Sequence, residues 1–270
     1  MSVVVTVAPT GPIATKRDNP TLPTQPEEIA RAIGEAYDLG ATVAHVHLRD
    51  EHDVPTADLG IARRTMDLIA ERCPILIQMS TGVGLNVPIE QRAQLVELRP
   101  RMATLNPCSM SFGNGVFLNP PEDVRRLAAR MRDLGVKPEL EVYDTGHIDA
   151  ALRLRDEGLL DEPMQFSIVL GVTGGAAATV ANLVTMAARL PEGCVWQIIA
   201  VGRNNLQLTA VALAMGANAR AGMEDTLYLG KGRPADGNNG LVSRTVDLAR
   251  ALERDIATVA ETEKLLSLPT

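Results

Sequence analysis

Short β-branched runs and longer amphipathic stretches alternate eight times along the chain. The runs that the pattern predicts as strands are 3–8, 42–48, 75–80, 101–106, 138–144, 164–170, 195–201 and 217–222. The stretches that it predicts as helices lie near 26–39, 58–72, 88–98, 121–135, 147–158, 179–189, 205–216 and 240–255. Helical connections of this length between strands indicate right-handed βαβ units with parallel pairing.

Eight such units predict an α/β fold, a single (β/α)8 TIM barrel that spans residues 1–270 as one domain. A doubly wound open sheet is the alternative architecture. That alternative is disfavoured because no G-x-G-x-x-G motif follows the first strand. Nor does any linker or low-complexity stretch divide the chain.

Composition narrows the class of protein. A net charge of −7 and a pI near 5.2, without a basic tract, argue against a nucleic-acid or anionic-membrane partner. Three widely separated cysteines (Cys73, Cys108 and Cys194) offer no disulfide framework and suit a reducing compartment. The N-terminal apolar run is too short for a signal peptide or a membrane span. We therefore expect a soluble, cytoplasmic protein.

Two of the four histidines stand two residues apart in AHVHLRD (44–50), inside a predicted strand. Residues i and i+2 of a strand project from the same face, so His45 and His47 point towards one spot. Neutral imidazole is the commonest protein ligand for zinc-like ions, which makes a metal site one interpretation. Two core histidines bonded to backbone carbonyls are the other, since a metal site also needs a third ligand.

Further polar residues fall at the ends of the predicted strands. In barrels of this kind the active site lies at the C-terminal ends of the strands and in the loops that follow them. The polar and glycine residues near these ends are Ser80, Thr81, Gly82, Thr104, Asn106, Glu141, Arg220, Glu224 and Asp225. Their common position predicts that they share one rim with the histidines.

The carboxylates of ARAGMED are candidates for the third ligand. The eighth strand closes the barrel beside the first, so Glu224 or Asp225 would reach the histidines across the mouth. Adjacent acids in a loop are often simply solvated. However, an inward-pointing Arg220 needs a carboxylate partner, so one acid would bind metal while Arg220 orients the other as a base.

The motifs HVHLRD, STGVG, TLNPCSMSFGN, GVTGGAAAT, VGRNNLQL and ARAGMED, in this order, resemble the β-keto acid cleavage enzymes. The resemblance covers nearly the whole chain. It implies a (β/α)8 barrel, usually a homotetramer, with a divalent metal that is generally zinc. It also implies a transferase that condenses a β-keto acid with acetyl-CoA and cleaves the product to acetoacetate and a shortened acyl-CoA.

The resemblance also implies roles for individual residues. It makes His45, His47 and Glu224 the metal ligands and Asp225 the base, supported by Arg220. It places the substrate carboxylate on Ser80, Thr81 and Gly82, and it gives Thr104, Asn106 and Glu141 further pocket positions. The glycine-rich GVTGGAAAT would form a pocket wall near CoA.

Two rival functions stay open: a metal-dependent aldolase-type lyase that needs no CoA, and a barrel that binds metal or ligand without turnover. The intact pair of Asp225 and Arg220 argues against the second. The first loop, APTGPIATK, offers Ile13 and no acid before Asp18. We therefore expect a β-keto acid with a neutral or anionic tail, because no carboxylate nearby would pair with an amine.

Overall fold

The strands close into a barrel. The computed structural model describes residues 2–85 and 87–268. In chain order its strands are β1 (Val5–Val7), β2 (Val43–Val46), β3 (Leu76–Met79), β4 (Met102–Leu105), β5 (Met110–Phe112), β6 (Gly115–Phe117), β7 (Lys137–Val142), β8 (Gln165–Leu170), β9 (Val195–Ala200), β10 (Asn218–Ala221), β11 (Tyr228–Gly230) and β12 (Arg233–Pro234). Eight parallel strands join in the order β1-β10-β9-β8-β7-β4-β3-β2. This arrangement confirms the predicted (β/α)8 barrel.

The helices follow the barrel strands. Within the described residues they are α1 (Pro26–Asp38), α2 (Leu59–Ala70), α3 (Ile89–Ala93), α4 (Pro121–Leu134), α5 (Thr145–Asp156), α6 (Val180–Ala187), α7 (Asn205–Ala214), α8 (Asn239–Ala251) and α9 (Val259–Leu265). The predicted helix at 88–98 is only partly α-helical, because residues 94–98 wind as a tighter 3-10 segment. That segment ends where Arg99 takes a left-handed conformation, with φ of 52°. None of the described helices is both long and apolar enough to cross a bilayer.

Three elements lie outside the predicted pattern: the hairpins β5–β6 and β11–β12, and the helix α9. The hairpin strands are two or three residues long, too short to show a period. The helix α9 does carry a recognisable start, a capping box between Thr258 and Glu261. Leu266 and Leu268, at and just beyond its end, pack against Val43 and Leu76 at the base of the barrel. This helix therefore covers the barrel face at the N-terminal ends of the strands, opposite the C-terminal ends.

The barrel interior is partly polar. Gln197 on β9 donates to Glu139 of β7 at 2.6 Å and to Ser167 of β8 at 2.9 Å. Thr6 on β1 donates to Gln197 at 3.0 Å. Burial raises the pKa of Glu139, which favours a neutral carboxyl group there. Because each of these side chains hydrogen-bonds to another, they form a fixed polar layer inside the barrel, beneath the C-terminal ends of the strands.

Candidate active site

His45, His47 and Glu224 come together at the mouth of the barrel. His45 lies on β2, His47 lies just beyond that strand, and Glu224 follows β10. Nε2 of His45 is 3.4 Å from Oε2 of Glu224, and Nε2 of His47 is 3.5 Å from Oε1. The three candidate ligand atoms lie within 4.8 Å of one another. These three side chains could hold a divalent cation, since two imidazoles and one carboxylate are a donor set that catalytic metal sites use.

The surroundings of these atoms fit a cation. Among the described residues, Nε2 of His45 and Oε2 of Glu224 are buried without a hydrogen-bond partner. Burial lowers the pKa of His45, but its interactions with Glu224 together with the charge of Glu141 outweigh burial and raise that pKa to about 9. Burial also opposes ionisation of Glu224, yet Arg220 and both histidines hold its pKa well below the usual range. The site therefore stabilises a positive charge between His45 and Glu224, which a divalent ion would supply.

Glu139 and Glu141 offer a second geometric set of ligands with His45. Glu139, however, already accepts hydrogen bonds from Ser167 and Gln197. In the described part of the chain, Oε2 of Glu139 is unpartnered too, but the set with Glu224 is the better metal site because its two unpartnered atoms, Nε2 of His45 and Oε2 of Glu224, lie 3.4 Å apart.

Gln78 fixes the orientation of His45. The two residues are directly opposite in the β2–β3 register, and Nδ1 of His45 lies 2.8 Å from Oε1 of Gln78. In the neutral ring, which is the form that binds a metal, the amide oxygen keeps the proton on Nδ1 and leaves the lone pair of Nε2 facing Glu224. Gln78 thus selects the ring nitrogen that is available to a metal.

Arg220 joins the carboxylates of the site. It donates to Asp225 through Nε at 3.0 Å and through Nη2 at 2.5 Å. Nη2 also donates to Oε1 of Glu224 at 3.0 Å, and Nη1 lies 3.6 Å from Oε1 of Glu141. The buried guanidinium is thereby surrounded by anions, as such a charge requires.

Asp225 and Glu224 are adjacent but have different surroundings. Glu224 faces the histidines, whereas both oxygens of Asp225 accept from Arg220. Burial raises the pKa of Asp225 even though Arg220 opposes the shift, which favours proton uptake. The backbone carbonyl of Asp225 also accepts from Gly202 N at 2.8 Å. Asp225 is thus an oriented carboxylate that is suited to accept a proton.

Ser80, Gly82 and Glu141 reach the wall of the cavity above this centre. Glu141 accepts from Nδ2 of Asn106 at 2.9 Å and from the hydroxyl of Tyr143 at 3.2 Å. Asn106 therefore lies behind Glu141 and holds its carboxylate in place.

Thr81 and Thr104 lie deeper and bond to each other. Thr81 N donates to Oγ1 of Thr104 at 2.9 Å, and Oγ1 of Thr81 donates to the carbonyl of Thr104 at 2.8 Å. Arg92 donates to the carbonyl of Thr81 at 3.0 Å and lies 4.7 Å from the centre of the Phe117 ring. This geometry ties the loop after β3 to the hairpin β5–β6.

The cavity has a volume of about 1290 Å³. One side is the first loop, residues 11–14, which Arg49 holds by donating to the carbonyls of Gly11 and Ala14. A Cβ atom at Gly11 would lie 2.5 Å from Cγ of Glu224, so glycine lets this loop pack against Glu224. Ile13 of the same loop also lines the cavity.

The glycine-rich GVTGG segment has mainly a packing role. Gly174 has φ of +107°, and a Cβ atom there would lie 2.0 Å from the carbonyl oxygen of Ser111 on β5. Gly113 N donates to the carbonyl of Thr173 at 3.0 Å. The segment therefore seats the hairpin β5–β6, while Gly171 to Thr173 line the cavity.

Sequence reasoning missed two buried residues of this site, Gln78 and Tyr143. Both had a signal: Gln78 is a polar residue in the apolar strand run ILIQMS, and Tyr143 stands two residues from Glu141 in PELEVYD. Burial raises the pKa of Tyr143 well above its usual value. Its hydroxyl therefore remains a hydrogen-bond donor to Glu141.

The chain is similar to known proteins over nearly its whole length. A family model described as beta-keto acid cleavage enzyme matches residues 2–268. The chain is 40% identical over 268 residues to the 3-keto-5-aminohexanoate cleavage enzyme of Fusobacterium nucleatum subsp. nucleatum, with 98% of each chain covered. It is 32% identical over 271 residues to the 3-oxoadipate:acetyl-CoA acetyltransferase of Cupriavidus necator, with 99% of this chain and 95% of the relative covered.

A solved structure shares the fold. The apo structure of ObcA superposes with a TM-score of 0.81 at 22% identity, over 93% of this chain and 66% of the ObcA chain. At this identity the likeness concerns the barrel alone.

Proposed function

The chain belongs to the β-keto acid cleavage enzyme family, and on that premise we propose that it exchanges acyl groups between a β-keto acid and acetyl-CoA. The products are acetoacetate and the CoA ester of the shortened acid. The names of relatives support this reaction, since one is a 3-oxoadipate:acetyl-CoA acetyltransferase and another a 3,5-dioxohexanoate:acetyl-CoA acetone transferase.

The observation that carries the proposal is the pairing of a metal-type site with a separate base. His45, His47 and Glu224 would hold a divalent ion, and the neighbouring Asp225 is held by Arg220. A bound ion would supply Lewis-acid polarisation of the keto group and so acidify the adjacent C–H. Proton abstraction beside a bound metal needs a base that does not itself bind the ion, and Asp225, held by Arg220, fits this role.

The residues of the chain then act on the substrate in sequence. Ser80 and Gly82 bind the substrate carboxylate and orient the C–H towards Asp225. Asp225 removes the proton, and the resulting enolate attacks the thioester carbon of acetyl-CoA, so that the CoA thiolate leaves. The thiolate attacks the original keto carbon, and the C–C bond breaks. The released acetoacetate enolate takes its proton back from Asp225, which balances the reaction.

The protein supplies no covalent nucleophile in this scheme. Burial raises the pKa of Cys73 and Cys108, and that of Cys194 to about 11. None of the three lines the cavity in the described residues, and the thiol of CoA serves instead.

The test is CoA-dependent release of acetoacetate from a panel of β-keto acids, with the metal content measured on the same sample. The proposal requires product only when acetyl-CoA is present. Cleavage without CoA would favour an aldolase-type lyase, and metal binding without turnover of any acid would favour a binding protein.

We propose Zn²⁺ as the metal, since two imidazoles and one carboxylate suit it. We further propose that residues 1–270 fold as one domain that forms a cytoplasmic homotetramer. The free cysteines are compatible with a reducing compartment. Metal analysis, light scattering of the purified protein and cell fractionation test these statements separately.

The wall of the cavity also bears on the substrate. Among the described residues its carboxylates are Glu141, Glu224 and Asp225, all grouped around Arg220. The first loop contributes the apolar Ile13. This distribution supports a β-keto acid with a neutral or anionic tail.

A further inference from the structure

The cavity is larger than a short β-keto acid requires. Small-molecule sites usually occupy roughly 300–1,000 Å³, whereas this cavity measures about 1290 Å³. A short substrate held between Ser80 and the histidines would fill only the part of the cavity next to these residues. Residues of the loops that follow β9 and β10 also line the cavity, so there is room for a second, longer molecule beside these loops.

Charge is unevenly distributed along the cavity wall. The acids of the wall, Glu141, Glu224 and Asp225, are buried or half-buried around Arg220, whereas Arg203 and Lys231 are exposed. In the part of the chain that the structure describes, the exposed charges of the wall are therefore positive, although the whole chain has 33 acidic and 26 Lys and Arg residues. An opening that is basic on an acidic protein attracts and orients anions.

Arg244 holds the two basic segments together. It donates from Nη1 to the carbonyl of Leu229, on β11, at 2.7 Å, and from Nη2 to Oδ1 of Asn205, at the start of α7, also at 2.7 Å. Arg203 lies just before Asn205, and Lys231 lies in the turn after β11. The two exposed cations are therefore carried by segments that the half-buried guanidinium of Arg244 holds together.

Exposed apolar side chains line the same opening. Tyr228 is 53% exposed and Leu206 is 40% exposed, although both are large hydrophobic residues that line the cavity. A flat aromatic ring beside cations suits a ligand that has both a heteroaromatic ring and phosphates.

We propose that this opening binds the nucleotide end of acetyl-CoA. We define the cavity mouth by four residues: Arg203, Leu206, Tyr228 and Lys231. Arg203 and Lys231 pair with the phosphates, and the adenine ring stacks on Tyr228. The pantetheine arm then runs down the apolar wall and brings the thioester to Asp225. The backbone carbonyl of Asp225 accepts a hydrogen bond from Gly202 N, next to Arg203, so the two ends of the ligand site are directly connected. This inference rests on the proposed function, since it assigns the subsite of its second substrate.

The experiment compares acetyl-CoA with acetyl-pantetheine, which has the same thioester but no nucleotide. The double variant Arg203→Ala, Lys231→Ala removes both exposed cations. Its control is Arg63→Ala, Arg250→Ala, which removes two exposed cations from the outer helices α2 and α8. Calorimetry measures the binding of CoA to each variant. Steady-state kinetics with one β-keto acid give kcat/KM for both thioesters.

Both lost cations would make charge-assisted hydrogen bonds to phosphate, so the double variant should bind CoA at least ~10-fold more weakly. The preference for acetyl-CoA over acetyl-pantetheine should fall by a similar factor. Salt should weaken CoA binding less in the double variant than in the wild type, because fewer charge pairs remain to be screened. The control variant should match the wild type in all three measurements.

Unchanged CoA affinity and unchanged thioester preference in the double variant would overturn the subsite. If the wild type nevertheless cleaves a β-keto acid with acetyl-CoA, the proposed function still holds. Conversely, if the wild type binds CoA through these cations but cleaves no β-keto acid, the subsite is supported and the proposed function is contradicted. If the wild type binds no CoA, both proposals are wrong.

Discussion

Glu224 and Asp225 carry the same functional group on consecutive residues, and only their partners distinguish them. Glu224 lies 3.4 and 3.5 Å from the two histidines, whereas Asp225 accepts twice from Arg220. A side chain's chemistry is thus set by the charges around it as much as by its pKa in water.

We predict opposite effects from amide substitutions at these two positions. Asp225→Asn should keep the metal but lower kcat about 10³-fold, since the amide has a similar shape and cannot take the proton. Glu224→Gln should weaken metal affinity by at least ~100-fold. Metal titration and steady-state kinetics on both variants check this. If Asp225→Asn loses the metal and Glu224→Gln keeps it, ligand and base are reversed.

A second residue-scale prediction concerns Gln78. Loss of its oxygen frees the His45 ring to turn or to change tautomer, so Gln78→Met should weaken metal affinity about 10- to 100-fold. Gln78→Glu keeps an acceptor at the same place and should retain most of the affinity. Competition with a chromogenic chelator measures both. Equal affinities for Gln78→Met and the wild type would contradict the role.

At the scale of elements, loops rather than barrel strands form the upper wall of the cavity. The hairpin β5–β6 is held by the GVTGG segment on one side and by Arg92 against Phe117 on the other. Because short hairpins have marginal stability alone, their position depends on these contacts.

Gly174→Ala should test that dependence. The added Cβ would overlap the backbone of Ser111 in a conformation with φ of +107°, so we expect a loss of about 2 kcal/mol or more in unfolding free energy. Gly146→Ala, in α5 with no atom within 4 Å of its Cβ, should be neutral or slightly stabilising. Denaturant unfolding compares the two. Equal midpoints would show that the segment tolerates a side chain.

At the scale of the molecule, the site exists because the barrel closes. Thr6 on β1 lies opposite Arg220 on β10, which places Glu224 across the mouth from His45. A ligand that bridges β2 and the loop after β10 should therefore stabilise the closed barrel as a whole.

Metal removal tests this statement. Purified protein should hold about one divalent ion per chain. A ligand at a thousandfold excess over its Kd adds about 4 kcal/mol of stability, so chelation should lower Tm by roughly 10 °C. The variant His45→Ala, His47→Ala should bind no metal and show no Tm response to it. Metal binding as tight as in the wild type would refute the assignment.

Substrate charge is the last prediction at this scale. A buried ammonium group costs several kcal/mol unless a carboxylate meets it, so an amine tail should reduce kcat/KM about 10-fold or more relative to a neutral or carboxylate tail. Three β-keto acids of equal length that differ only in the tail group provide the measurement. A preference for the amine would contradict the prediction and would mean that a carboxylate of the wall, such as Glu141, pairs with the amine.

The sequence alone determined the features that depend on local periodicity. Alternating strand and helix patterns predicted the parallel barrel, and the i, i+2 spacing placed His45 and His47 on one face. The motif resemblance pointed to the family and to residues of its site. The hairpins were missed because strands of two or three residues have no measurable period, and Gln78 was read only as part of an apolar strand.

Tertiary structure alone decided which residues meet. The approach of Glu224 to the histidines and the Gln78–His45 contact both join segments that are distant in sequence. So does the placement of Arg203 and Lys231 at one opening. No local pattern encodes these pairings, because the register and closure of the barrel bring the segments together.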